Sequence, residues 1–198
     1  MAHGALSPSR TLRTQLTPPQ NSKLSDDVNP GLSLQGMSFL LRKTISYASV
    51  TLEITQTEGP PSPPNTSTDA TFTHIDIQQI GTAGMKGTHE VRCLDNNLRP
   101  HSDWIFGNVE GRSQWVALSE VEEEYLKGNW LEEKSGRPDG KDHIQSFVEN
   151  VDTHWTGEQI WGFQMIDGER RYARNIVLKK GDKKVEMRLV YDYLGPLA

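Results

Sequence analysis

The spacing of apolar residues changes period along the chain. Leu34, Met37, Leu40, Leu41 and Ile45 recur at intervals of three and four, which places them on one face of a helix. Ser25, Asp26 and Asp27 supply cap-type side chains ahead of it, Pro30 suits a first turn, and Arg42 and Lys43 sit where the helix dipole favours cations. This spacing predicts a helix over about 30–45. From Tyr47 the period becomes two. Val50, Leu52 and Ile54 alternate with Thr51, Glu53 and Thr55, the pattern of a half-buried strand over Tyr47–Thr57.

Strand-like segments follow at Thr71–Ile80, Thr88–Leu94, Trp104–Val109, Arg112–Leu118, Asn129–Lys134 and His143–Val151. The C-terminal part reads as a meander of Gln159–Ile166, Arg170–Lys179 and Lys183–Tyr193, with turns at Asp167-Gly168 and Gly181-Asp182. Asp-Gly between two alternating runs is a strong hairpin signal. Glu120–Lys127 has room for one helical turn. Residues 59–70 hold four prolines and no large apolar side chain, so they form an exposed connection. Residues 1–23 read as a flexible lead with a degenerate first strand near Leu12–Leu16, and 24–198 as one domain.

One helix and nine or ten short strands joined by tight turns fit a closed antiparallel barrel or a two-sheet sandwich. A helix placed before the strands favours the barrel, where it covers an open end. The expected fold is therefore all-β: an antiparallel barrel of about eight to ten strands with one N-terminal helix capping an end.

Composition narrows the function classes. The 198 residues carry a net charge of −5, so nothing in the overall balance attracts a phosphate backbone, and no nucleic-acid partner is expected. Cys93 is the single cysteine, which excludes an intramolecular disulfide and a zinc site built on several thiolates. A strand cysteine of this kind reads as a small core residue. No apolar stretch is long enough to span a membrane, and the first residues have no apolar core of signal-peptide length. The expected location is the cytoplasm.

Several stretches carry a resemblance. They include Leu24-Ser25-Asp26-Asp27, Leu41-Arg42-Lys43, His74-Ile75-Asp76-Ile77, Asp103-Trp104-Ile105-Phe106-Gly107, Gly111-Arg112-Ser113-Gln114-Trp115, Gln159-Ile160-Trp161-Gly162-Phe163 and Gly168-Glu169-Arg170-Arg171-Tyr172. Over about 24–194 the chain resembles the small single-domain lipocalin-like proteins of filamentous fungi, some of which lie beside natural-product biosynthetic genes. The resemblance implies a calycin-type barrel. Relatives of this type include passive carriers of apolar molecules and cofactor-free enzymes that fold a reactive intermediate and steer a cyclisation or isomerisation. Such chains usually open with a Gly-X-Trp strand that plugs the barrel floor. Here the matching place, near Pro18–Lys23, contains Pro18-Pro19 and no tryptophan, so either the first strand is degenerate or the barrel is open there.

Candidate chemistry comes in four groups. His74, Asp76 and Gln78 lie at i, i+2 and i+4 of one strand and share a face, with Ile75 and Ile77 on the other. With the polar trio inward, His74 is an acid or base and Asp76 orients it; with the isoleucines inward, the trio is solvated. His89 on the next segment can bring a second imidazole to the same face. No His-X-His or Glu-X-X-His spacing supports a metal, and none is expected. No glycine-rich phosphate loop or nucleophile motif is present, so no cofactor is expected either.

The third group is aromatic. Trp104 shares a face with Phe106, Trp161 shares one with Phe163 and Met165, and Trp115, Trp130 and Trp155 complete the five tryptophans. Such residues fill a core, or line a cavity for a polyene or polycyclic ligand. The fourth group is basic. Arg170, Tyr172 and Arg174 share a face of one strand; Arg188 lies in the last. In fatty-acid-binding barrels an inward Arg and Tyr near the C-terminus hold a carboxylate. The comparable pair, Arg188 and Tyr191, is three residues apart and so falls on opposite faces. The bland reading of the arginines is outward ion pairs with Glu169 and Glu186.

Three functions fit: a barrel that binds a small hydrophobic molecule such as a secondary-metabolite intermediate; a cofactor-independent isomerase or cyclase acting on one; or a solidly packed barrel that works through its surface. For the first two, the ligand contacts expected are Gln78, His89, Trp104, Phe106, Trp115, Trp161, Arg188 and Tyr191, with His74 and Asp76 as catalytic candidates.

Overall fold

The computed structural model describes residues 12–17, 21–47, 50–81, 87–132 and 139–195. Its frame is one antiparallel ten-stranded sheet with the order β4-β3-β2-β1-β10-β9-β8-β7-β6-β5. In chain order the strands are β1 Leu12–Thr17, β2 Val50–Gly59, β3 Phe72–Gly81, β4 His89–Cys93, β5 Arg99–Asp103, β6 Gly107–Val116, β7 His143–Asn150, β8 Thr156–Ile166, β9 Glu169–Lys180 and β10 Lys183–Gly195. The chain leaving β4 bonds to β6, through the Asp95–Gln114 bridge and the Asn96 N–H to the Ser113 carbonyl at 2.9 Å. The two edges of the sheet therefore meet there. This is the all-β antiparallel, barrel-like fold that the alternation predicts.

The strand expected near Leu12–Leu16 is present as β1, paired on one side with β2 and on the other with β10. The first strand is thus degenerate in sequence but still joins the two halves of the sheet; Pro18–Gln20 lie outside the described residues. In the meander, Asp167 and Gly168 both have positive φ (51° and 78°), the conformation that a two-residue hairpin turn demands and that Asp-Gly adopts at low cost.

Three expectations need correction. The helix expected over 30–45 is two helices, α1 Asn29–Leu34 and α2 Phe39–Tyr47. Gly36 breaks it by taking φ +86°, a left-handed conformation that glycine adopts without penalty. The strand expected at Trp104–Val109 begins only at Gly107, because Trp104–Phe106 form the β5–β6 turn, held by Asp103 Oδ1 accepting from the Ile105 and Phe106 N–H groups at 2.7 Å. No strand runs through Asn129–Leu131; Trp130 makes a single bridge to Gln164, and residues 133–138 lie outside the described part. Glu120–Lys127 holds a 3₁₀ turn, Leu118–Glu120, and the short helix α3, Glu124–Lys127.

Register decides which side chains face the lumen. Ile54 pairs with Ile77, Ile77 with Glu90, and Ile75 with Arg92, so these share one face. On the other side of the barrel, Ser113 pairs with Ser146, Ser146 with Gln159, Gln159 with Ile176 and Ile176 with Met187. The lumen core gathers Leu52, Ile75, Ile77, Leu94, Trp161 and Tyr191. A second apolar cluster lies outside the sheet: Val116, Ile160 and Val177 are covered by Val121 and Leu126 of the α3 segment. Strands β8 and β9 are therefore buried on both faces. Helix α1 covers one end, with Gly31 packed so closely on Met187 and Leu178 that an added Cβ would meet them at 2.7 and 2.9 Å. No helix among the described residues is long and apolar enough to cross a membrane.

Candidate functional site

A cavity of about 230 Å³ opens inside the barrel on the α1 side. Gln35, His101, Asp103 and Phe106 border it toward the α1 and β5–β6 end. Phe106 meets buried Trp155 edge-on at 6.0 Å. Val109, Val148 and Leu178 supply apolar wall, and Glu90, Arg92, Ser113 and Gln159 supply polar wall.

The polar wall is part of a charged cluster built around one indole. Glu90 and Arg92 are two apart on β4, so both point inward. The Glu90 carboxylate accepts from Arg92 Nη2 at 2.5 Å, Arg92 Nε at 3.2 Å and Gln79 Nε2 at 3.0 Å. Arg92 Nη1 donates to Ser146 Oγ at 2.9 Å and Ser113 Oγ at 3.3 Å. The guanidinium also lies 5.5 Å from the Trp161 ring centre. Burial by itself pushes the Glu90 carboxyl up, but the charge and hydrogen bonds of Arg92 outweigh it and hold the group below the ordinary carboxylate range.

Arg174 approaches the same indole. Register places it beside Trp161 on β8 and Leu189 on β10. Its guanidinium carbon is 4.2 Å from the Trp161 ring centre, 5.5 Å from that of Tyr191 and 5.7 Å from that of Tyr172. Arg174 Nε donates to the Tyr172 hydroxyl at 3.2 Å. Arg174 is only 9 % exposed, and its Nη2 is buried without a hydrogen-bond partner among the described residues. Burial pushes the Tyr191 phenol above its ordinary range, only partly opposed by the Arg174 charge. The cluster thus sets two guanidiniums and one carboxylate against a stack of Trp161, Tyr172 and Tyr191. It can grip a polar oxygen while the rings hold flat apolar surface.

The sequence candidates divide between the two sides of the wall. Trp161 is in the lumen at 3 % exposure, and its Nε1 donates to Gln159 Oε1 at 3.0 Å. Tyr191 is in the lumen core, and Phe106 lines the cavity. Trp115 packs against the lumen core and donates from Nε1 to Thr73 Oγ1 at 2.9 Å. Trp104 sits in the β5–β6 turn at 45 % exposure, away from the wall.

His74, Asp76, Gln78 and His89 do not line the lumen. Ile75 and Ile77 take the inward face of β3, so the polar trio faces outward. Asp76 pairs with His89 there at 3.0 Å, with both side chains about half exposed. His74 Nε2 lies 2.8 Å from the Pro60 carbonyl oxygen. These groups lie on the outer surface of β3 and β4. Cys93 shares that outer face, buried by the neighbouring connection, and burial raises its thiol pKa.

Arg188 also leaves the lumen. It faces the segment before α1, where its backbone N–H donates to Asp26 Oδ2 at 2.7 Å. Tyr191 and Arg188 do lie on opposite faces, as their spacing of three requires. The outward ion pairs expected of the C-terminal arginines belong instead to Arg171, which holds Glu169 and Asp192. Arg174 turns inward over Trp161, and Arg170, on the same face but exposed, lies over Phe163.

The lumen residues that sequence reasoning missed are Glu90, Arg92, Ser113, Ser146 and Gln159. For Glu90 and Arg92 the one signal was alternation with Val91 and Cys93, and it favoured the wrong face because charged side chains usually stay in water. Among the described residues, no group of three or more His, Cys, Asp or Glu is arranged to hold a metal ion.

Comparison with known proteins gives the following. No family model matches the chain. It is 31 % identical over 180 residues to the pericyclase pydY of Acremonium sp, covering 90 % of each chain. It is 29 % identical over 178 residues to the "probable pericyclase" scpY of Mollisia scopiformis, covering 89 % of this chain and 87 % of that one. Among solved structures, As-p18, an extracellular fatty acid binding protein, aligns over 92 % of this chain and 94 % of its own, with a TM-score of 0.47 and 12 % identity.

Proposed function

The chain belongs to the family of these fungal pericyclases, and on that premise we propose that it is a cofactor-independent cyclase of natural-product biosynthesis. Its lumen receives a flexible, largely apolar secondary-metabolite intermediate and releases a cyclised isomer. In a pericyclic step electrons move round a ring of reacting atoms, new σ bonds replace π bonds, and no atom is gained or lost. The protein then needs to supply no oxidant, reductant or transferred group. It has to fold the chain and stabilise whatever polarity develops.

The observation that carries this reading for the site is the composition of the lumen. Phe106 and Trp155 line the cavity, while Trp161, Tyr172 and Tyr191 pack in the lumen core around Arg174, beside the Glu90–Arg92 pair. The rings restrict an extended apolar chain to a folded conformer, which removes rotational freedom before the barrier is climbed. The fixed donors of the cluster act in a low-dielectric setting, where they stabilise a developing partial charge more than water does. In the lipocalin-like reading of the barrel, binding and turnover use the same space, and a bound apolar chain gains about 25 cal/mol per Å² of surface buried. The cavity runs against the packed-barrel reading.

The test is isobaric conversion. Purified protein, with no added cofactor, is mixed with an acyclic polyene intermediate isolated from a host lacking this gene, and the mixture is followed by liquid chromatography and native mass spectrometry. A product of unchanged mass formed faster than in buffer is expected. A complex that retains the unchanged intermediate indefinitely would make the protein a carrier, and absence of both binding and conversion would defeat the lumen reading altogether.

A further inference from the structure

Resting on that lumen reading, we propose that the ligand carries an electron-rich, preferably anionic, oxygen group, and that Arg174 is the residue that binds it. Three observations support this. First, the charges at Trp161 do not balance. Arg92 and Arg174 both lie within 5.5 Å of the ring centre, and among the described residues Glu90 is the one carboxylate bonded there. The cluster therefore carries one surplus positive charge away from bulk water, where an anion is favoured.

Second, the two guanidiniums differ in what is left to give. Arg92 is committed at all three nitrogens, to Glu90, Ser113 and Ser146. Arg174 donates once, from Nε to Tyr172, and its buried Nη2 has no partner among the described residues. A buried guanidinium N–H without an acceptor is costly, and a ligand oxygen placed there removes that cost. Third, the surroundings suit a polar head on an apolar body. Trp161, Tyr172 and Tyr191 stack about Arg174, and Leu189 sits beside it in the next strand. A carboxylate, an enolate or a conjugated carbonyl oxygen meets the same demand. Arg92, held by Glu90, positions the indole and sets the charge, and does not itself bind the oxygen.

The experiment compares two probes with one tail: cis-parinaric acid and its methyl ester, titrated by fluorescence at pH 7.5 into the full chain and into Arg174→Met. The wild-type protein should bind the acid about tenfold more tightly than the ester, the scale of one charge-assisted hydrogen bond. Arg174→Met should abolish that preference while leaving ester affinity within about threefold. If Arg174→Met does not fold, Arg174→Lys serves: it keeps the charge, loses the planar fork, and should retain a reduced preference for the acid. Equal binding of the two probes by wild type, an undiminished preference in Arg174→Met, or failure of both probes to bind would each overturn the assignment. Binding of the acid through Arg174 together with absence of isobaric conversion would refute the cyclase and leave this inference standing.

Discussion

Replacing Glu90 by glutamine tests the charged cluster directly. The carboxylate accepts three hydrogen bonds, two from Arg92 and one from Gln79. Glutamine keeps one acceptor oxygen and turns the other position into a donor that faces donors. Two guanidiniums then share Trp161 with no counter-charge. Breaking a buried pair by removing one partner costs about 3–5 kcal/mol. The Arg92 and Glu90 side chains are 21 % and 19 % exposed, toward the cavity, so solvent screens part of the interaction and the lower end, about 3 kcal/mol, applies. For a chain of this size that is a fall in melting temperature of roughly 6–12 °C.

Thermal unfolding followed by circular dichroism reads the fall, and urea unfolding gives the free energy. The double variant Glu90→Gln/Arg92→Met should recover part of the loss, because one guanidinium, Arg174, is then left without a counter-charge where the single variant leaves two. A loss under about 1 kcal/mol, or a double variant as unstable as the sum of its singles, would show that the pair is solvated and the cluster misread. The pH dependence has a definite sign. The folded-state pKa of Glu90 lies below its ordinary value of 4.5. Its stabilisation is therefore complete above that value and is lost as pH falls through the folded-state pKa. Wild-type stability should decline more steeply in that acid range than the stability of Glu90→Gln.

Three further outcomes follow from the geometry. His74→Ala and Asp76→Asn sit on the outer face, so turnover of the confirmed substrate should stay within about twofold of wild type; a loss of a hundredfold would mean that β3 is inside out. Trp161→Ala removes a ring clamped between Arg92 and Arg174 and should cost about 3–5 kcal/mol in urea unfolding as well as weakening ligand binding; intact stability would contradict its burial. Gly162→Ala places a Cβ 2.9 Å from His143 and 3.1 Å from Trp130, outside the lumen, so it should cost about 1–3 kcal/mol with ligand affinity unchanged, measured by the same unfolding and fluorescence titrations.

Much of the frame was legible in the chain. Period-two alternation located β2, β3, β7, β8, β9 and β10 to within a few residues, because a strand with two unlike faces must alternate. Asp167-Gly168 marked its hairpin because few residue pairs accept two positive φ angles. The helix pattern was real but too long, since spacing cannot reveal that Gly36 leaves the helical region. At the β5–β6 turn, Trp104 and Phe106 alternated as a strand does, and the Asp103 hydrogen bonds to the following N–H groups won.

Alternation by itself determined that Ile75 and Ile77 oppose His74, Asp76 and Gln78, and that Glu90 and Arg92 oppose His89, Val91 and Cys93. It could not determine which set faces in, because the two faces of a pleated strand are equivalent until the sheet closes on one of them. Closure chose the isoleucines on β3, and register with β3 then carried Glu90 and Arg92 inward on β4. On β9 the α3 segment covered the outer face as well, so Arg174 and Val177 are both buried and neither face reads as solvent. The Glu90–Arg92 pair is local to β4, but Trp161 of β8 and Arg174 of β9 reach it only through strand pairing in three dimensions, and no window of sequence contains that juxtaposition.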